Sequence, residues 1–284
     1  MKYDTIYCIV DDFCKLYEEM VRHKLLDDGT KRRRSGKLSL AEMLSIMIFY
    51  QVSDYRNFKR YYEHEIHGRL RHLFAELPSY DRFIALMPRL FMPMALMLHG
   101  MSGKKTGEYY VDSTHLAVCK NQRIGRHKTF DGLAARGKST MGWFYGFKLH
   151  MIINMQGSII AVRITSGNVD DRKAFEDMVN RHNLKGTCYA DKGYISQTLW
   201  KRMWKQGLHL ITGIRKNMTN YLIPLLNKLM LRKRYIIESV FGILKEHTNI
   251  NPAKHRSPIN FFVSLFAALI AYQIRPNKPA INYP

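Results

Sequence analysis

Hydrophobic spacing divides the chain into two regions of different period. Over the first hundred residues the apolar positions follow the repeat of amphipathic helices. Ser39-Leu40-Ala41-Glu42 has capping-box spacing and predicts an apolar helix to about Tyr50. Asp54 is placed to cap a second helix to about His64. Ser79, after Pro78, opens a third over roughly Tyr80 to Leu98, where Pro88 and Pro93 predict a kink or break. Residues 100 to 106, Gly-Met-Ser-Gly-Lys-Lys-Thr, read as a linker.

Beyond the linker the period shortens. Glu108 to Asp112 and Leu116 to Cys119 predict two strands around a tight turn, and Asn121 to Gly142, rich in Gly, Arg and Lys, a long loop. Phe147 to Asn154 and Ser158 to Thr165 predict strands joined by a Met155-Gln156-Gly157 hairpin turn. A helix from Asp170 to about His182 follows, then a short buried strand at Thr187 to Ala190. A helix at Ser196 to Gln206, a strand at Leu208 to Gly213 and a helix from Arg232 to about His247 complete the series. Three strands reached by hairpins, then helices alternating with strands, is the RNase H-like order. The expected class is α/β: a mixed sheet flanked by helices, with an N-terminal helical domain. The expected division is 1–105 for DNA binding or dimerisation, 106–250 for the sheet, and 251–284 as a C-terminal helix and tail packing on the core. The apolar run Phe261 to Ile270 is too short to span a bilayer and reads as a buried helix.

Composition narrows the partners. With 46% hydrophobic residues over 284 positions the chain can bury a core and is not a disordered polymer. Its net charge of +22 selects polyanions, nucleic acid or an anionic membrane, rather than a fold. The charge is uneven: residues 1–105 hold 18 basic and 13 acidic residues, and residues 106–284 hold 27 and 10. The few acids in the second part therefore stand out singly. The four cysteines form no CxxC pair and no zinc spacing, which fits reduced thiols. The N-terminus lacks a signal-peptide apolar region, so a soluble cytoplasmic protein is expected.

Three carboxylates suit metal-assisted chemistry on phosphodiesters. Such chemistry needs charge neutralisation at the attacking and the leaving oxygen, which two divalent ions about 4 Å apart supply. Hard ions take oxygen ligands, so a basic surface needs a small cluster of acids. Asp112 ends the apolar run Tyr109-Tyr110-Val111; the bland alternative is a turn aspartate bonded to Ser113 or Thr114. Asp191 follows Cys188-Tyr189-Ala190 and precedes Lys192-Gly193-Tyr194; the alternative is a helix cap, weakened because Ser196 is placed to cap that helix. Glu238 falls on one helical stripe with Arg234 and Lys245; the alternative is a surface Arg234–Glu238 pair. Asp170 and Asp171 read as a helix N-cap and first turn. Lys31-Arg32-Arg33-Arg34 is a solvated loop or a phosphate contact. The segment from Arg123 to Lys148 interleaves Arg126, Lys128, Arg136 and Lys138 with Phe130, Trp143, Phe144 and Tyr145, which suits DNA ends with frayed bases or a mobile loop whose aromatics pack on the sheet.

Asp112-Ser113-Thr114, Asp191-Lys192-Gly193-Tyr194 and the Arg234-x3-Glu238-x6-Lys245 spacing together resemble the three catalytic blocks of bacterial insertion-sequence DDE transposases of the Tyr-Arg-Glu-Lys type. Leu231 stands where that signature carries its Tyr. The resemblance covers Tyr109 to about His247. It implies that Asp112, Asp191 and Glu238 are catalytic and bind two Mg2+ or Mn2+ ions. It also implies that Arg234 and Lys245 hold DNA-end phosphates, with Lys192, Arg126, Lys128, Arg136, Lys138 and Trp143 as further DNA contacts. The implied partners are the element's terminal inverted repeats and target DNA, bound by a homodimer or larger assembly.

Overall fold

The computed structural model describes residues 1–26, 36–139, 142–214, 218, 223–246, 248–250 and 255–281. The basic run Lys31–Arg34 lies outside them. The chain forms two compact units. The first comprises Met1–Met101, Leu244–Ile250 and His255–Arg275; the second comprises Ser102–Ile243, Asn251–Lys254 and Pro276–Pro284. The segment 251–284 is thus shared between them, and its helix belongs to the first unit.

The first unit is helical. Helices α1 (Tyr3–Leu26), α2 (Leu40–Val52), α3 (Phe58–Arg60), α4 (Tyr80–Leu86) and α5 (Phe91–Gly100) are joined by α10 (Pro258–Ile274), which packs on α2 and α5. Ser39 caps α2 as its spacing predicts: its hydroxyl accepts from the Glu42 N–H, and the Glu42 carboxylate accepts from the Ser39 N–H. The cap of α3 is Asn57 rather than Asp54, and the helix passes into a π-helical stretch, Tyr61–Arg69. That wider turn accompanies the burial of Tyr61 and Tyr62, whose hydroxyls donate to the carbonyls of Ile46 and Pro78. The segment Tyr80–Gly100 is long and apolar enough to cross a membrane by composition. It is broken by a 3-10 turn at Met87–Leu90, where Pro88 cannot donate to the helix, and it buries Phe83, Met87, Leu90, Met94 and Met97 in the unit's core.

The second unit is built on a sheet of six strands among the described residues: β1 (Glu108–Cys119), β2 (Ala135–Ser139), β3 (Gly142–Asn154), β4 (Ile159–Ser166), β5 (Gly186–Ala190) and β6 (Leu208–Thr212). The order is β2-β3-β1-β5-β6, with β4 also on β3. β3 runs antiparallel to β1, β2 and β4, while β1, β5 and β6 are parallel. Omitting β2, this is the RNase H-like order expected from the succession of elements. Helices α6 (Asp171–His182) and α7 (Gln197–Lys205) enclose one apolar core with the sheet, built on Val111, Ile152, Phe175, Cys188, Leu199 and Met203. Helices α8 (Leu225–Arg232) and α9 (Tyr235–Glu246) complete the unit's helices, and α8 packs on β5 and β6. The boundary between the units falls within α9, after Ile243.

Three local expectations change. The two short strands before residue 120 are one continuous β1. Asp112-Ser113-Thr114 is not a turn; these residues pair with Met151, His150 and Leu149 of β3. The long loop before Gly142 contains a 3-10 turn at Asn121–Arg126 and the strand β2. The helix expected from Arg232 is α9, which begins only at Tyr235, so Arg234 stands just before it, and a further helix, α8, precedes it.

Candidate active site

Strand length places the first two carboxylates. β1 pairs with β5 through Glu108↔Thr187, Tyr109↔Cys188 and Tyr110↔Tyr189, and the ladder then stops. Continuing that register sets Asp112 level with Asp191, at the carboxyl end of the parallel strands, where open α/β sheets gather ligands. Successive side chains alternate across a strand, so Asp112 shares its face of β1 with Tyr110. Tyr110 and Tyr189 stack with ring centroids 5.3 Å apart. The Tyr110 hydroxyl donates to the Met230 carbonyl, and the Tyr189 hydroxyl bonds the Asn227 side-chain oxygen at 3.1 Å. Two tyrosines therefore fix α8 over the strand ends, and α8 leads directly into Arg234.

Arg234 closes the cluster. Its Nη1 lies 3.2 Å from Asp112 Oδ2 and its Nη2 lies 3.1 Å from Glu238 Oε1. One guanidinium thus holds the strand aspartate and the helix glutamate together. The i,i+4 pair open as the alternative reading of Glu238 is present, and the same arginine also reaches Asp112. Glu238 is 60% exposed, whereas Asp112 is 22% exposed. Burial pushes the Asp112 carboxyl up to about 6, with the charges of Asp191 and Glu238 adding to the rise; the Ser113 N–H, which donates to Oδ1 at 2.8 Å, and Arg234 oppose it. Removing a carboxylate from water disfavours its charge, as do neighbouring carboxylates.

Asp191 leaves β5 and turns back on its own chain. Its Oδ1 accepts from the Gly193 N–H at 2.7 Å and caps a 3-10 turn, Lys192–Tyr194. A Cβ at Gly193 would stand 2.9 Å from that oxygen, so the glycine leaves room for the carboxylate. Ser196 caps α7. Lys192 extends along the end of β6, its Cε 3.2 Å from where a Cβ on Gly213 would stand. Tyr194, the last residue of the Asp191-Lys192-Gly193-Tyr194 block though given no role there, is buried, and that burial, with the charges of Asp112, Asp171 and Asp191 adding to it, holds the proton on its hydroxyl. Its place after Asp191 and a glycine is the one signal that marks it.

The other sequence candidates sort by exposure. Arg136 and Lys138 project from β2 on either side of the buried Gly137, and the Lys138 ammonium lies 5.9 Å from the centre of the exposed Trp143 ring on β3. Arg126 and Lys128 are exposed in the segment before β2. Phe130, Phe144 and Tyr145 are buried, so of these aromatics Trp143 alone faces solvent. Lys245 is exposed near the end of α9, in the part belonging to the first unit. Asp170 caps α6 and pairs with Arg172, and Asp171 pairs with Lys148 at 3.0 Å, as first-turn acids do.

Among the described residues no three His, Cys, Asp or Glu side chains stand close enough to form a metal cage. The donor set nonetheless suits a hard cation. Asp112 and Asp191 are oxygen donors on adjacent strand ends, and the unfavourable charge on Asp112 is one that a divalent ion relieves. The third carboxylate is engaged by Arg234.

Residues 102–258 match the profile of the transposase DDE domain family. No curated protein matches the chain. Among solved structures it is similar to the piggyBac transposase in a synaptic complex with hairpin DNA, at 13% identity and a TM-score of 0.42, covering 68% of this chain and 46% of that one. It is also similar to the Mos1 transposase of a strand transfer complex, at 11% identity and a TM-score of 0.28, covering 81% and 71%. The chain thus spans less than half of the piggyBac chain's length. The family match extends over more than half of the present chain and takes in Asp112, Asp191, Arg234, Glu238 and Lys245. This chain belongs to the DDE transposase family.

Proposed function

We propose that the protein cuts DNA at the ends of a bacterial insertion sequence and joins the freed 3′ ends to target DNA. The observation that carries this reading is the grouping of Asp112 and Glu238 on one guanidinium, with Asp191 on the neighbouring strand end. Asp112, Asp191 and Glu238 would hold two Mg2+ or Mn2+ ions, which when bound neutralise charge on the attacking and leaving oxygens. Arg234 and Lys245 hold end phosphates, with Leu231 in place of the Tyr of the Tyr-Arg-Glu-Lys signature. Lys192, Arg126, Lys128, Arg136, Lys138 and Trp143 contact flanking DNA. Bringing two ends together calls for a homodimer or larger assembly, working in the cytoplasm and joining the nucleoid when bound to DNA.

The test uses full-length protein, Mg2+ and DNA carrying the inverted repeats that flank its gene. End cleavage and joined products are expected. Asp112→Ala, Asp191→Ala and Glu238→Ala should each abolish both while leaving DNA binding in place. Cleavage retained by any one variant removes that residue from the site, and cleavage without joining reduces the protein to a nuclease.

A further inference from the structure

The chain has three tryptophans, and all three are exposed: Trp143 by 64%, Trp200 by 43% and Trp204 by 50%. Tryptophan is highly buried on average, so this distribution calls for a partner. Trp143 is already placed beside Lys138. The other two lie on α7, whose inward residues Leu199 and Met203 are buried in the sheet core. Their rings stack with centroids 5.2 Å apart, and the Trp204 ring in turn meets that of His209 on β6, 4.1 Å away and tilted by 37°. His209 is exposed between the buried Leu208 and Leu210. β6 ends the sheet. The result is a ladder of three rings along the outside of the second unit.

A row of cations runs beside it. Lys201 and Lys205 each follow an indole by one residue, at a four-residue repeat that rises about 6 Å along a helix. Both are exposed, and neither forms an ion pair among the described residues, whereas Arg202 between them pairs with Glu176. α7 contains no acidic residue. Such a surface matches a ligand that carries flat π faces and regularly spaced negative charge. A duplex hides its base faces in its own stack, while an unpaired strand offers them. A second copy of the chain would bring lysine rows against each other across a symmetric contact, which is repulsive.

We propose that the Trp200–Trp204–His209 ladder is a binding site for single-stranded DNA, in which unpaired bases stack on the rings and backbone phosphates meet Lys201 and Lys205. It is separate from the carboxylate cluster and needs no metal ion. Stacking of bases on aromatic side chains tolerates any sequence, so the site is expected to be indifferent to base identity.

The experiment uses full-length protein in EDTA, so that no cleavage is read and the result stands apart from the catalytic reading. In the Trp143→Phe variant the intrinsic fluorescence comes from Trp200 and Trp204, and short oligo(dT) should quench it saturably. The affinity of labelled oligo(dT), followed by anisotropy, should fall roughly tenfold or more in Trp200→Ala/Trp204→Ala, while that of a duplex of equal length is unchanged. Trp200→Phe/Trp204→Phe, which keeps the rings and the helix, should retain most of the affinity. Lys201→Gln/Lys205→Gln should lower the salt dependence by about one to two counterions. The proposal fails if oligo(dT) leaves the fluorescence unchanged or if single-strand and duplex affinities fall together. It fails equally if the alanine pair alters sedimentation but not oligo(dT) binding, which would identify a second copy as the occupant.

Discussion

Asp112 and Arg234 describe the site's resting electrostatics. The aspartate keeps its proton to about pH 6 in the fold, against 3.8 ordinarily, because it is buried beside two other acids. Between those values the unfolded chain releases a proton that the folded chain retains, so stability falls as pH rises through that window and the full cost is present above it. Asp112→Asn should therefore stabilise the metal-free protein by about 3 kcal/mol at pH 8 and by much less near pH 4, measured by urea unfolding in EDTA. Adding Mg2+ should stabilise the unsubstituted protein at pH 8 through preferential binding to the fold and leave Asp112→Asn unchanged. An equal gain from the substitution at both pH values would show that burial of charge at this position is not the cause.

At the scale of elements, placement of the site depends on α8 and its two tyrosine anchors. Tyr110→Phe removes the bond to the Met230 carbonyl, which still accepts from the Lys233 N–H, at a cost of about 1 kcal/mol for one lost hydrogen bond. Because α8 sets the position of Arg234, end cleavage should fall by more than stability alone explains. Comparison of cleavage rates with denaturation midpoints checks this, and unchanged cleavage would detach α8 from the chemistry. These elements were unevenly legible in the sequence. β3, β4, β5 and β6 announce themselves by apolar runs between turn residues, and α2, α6 and α7 by their caps. β1 reads as two pieces because its centre, Asp112 to His115, is half exposed beyond the end of β5 and so is written in polar residues. β2 is Ala-Arg-Gly-Lys-Ser, an edge strand whose buried position is a glycine, Gly137, closed in by the Gly167 carbonyl; no apolar alternation exists to be seen. α9 is legible as the helix expected from Arg232, whereas α8, over Leu225–Arg232, has no side-chain cap to announce it. The three acids could be picked out because acids are scarce there, whereas the double engagement of Arg234 depends on a contact across 122 residues that no spacing encodes.

For the whole molecule the governing quantity is charge. A net +22 with few acids in the second part predicts DNA binding whose logarithm falls linearly and steeply with the logarithm of salt concentration. Arg136→Gln/Lys138→Gln removes two exposed cations of β2 and should reduce that slope by about two, weakening duplexes of any sequence alike. Titrations of labelled duplex at several salt concentrations provide the measure, and an unaltered slope would place the DNA elsewhere. The unequal lengths of β1 and β5 have one more consequence. Past Tyr110 the margin of β1 away from β3 has no strand beside it among the described residues, so the sheet ends in a step rather than a straight border. A step has an inside corner, with main-chain amides and carbonyls lining one wall. Lengthening β5 by two or three residues would fill that corner and seal the carboxylates behind a continuous ladder without changing a single acid.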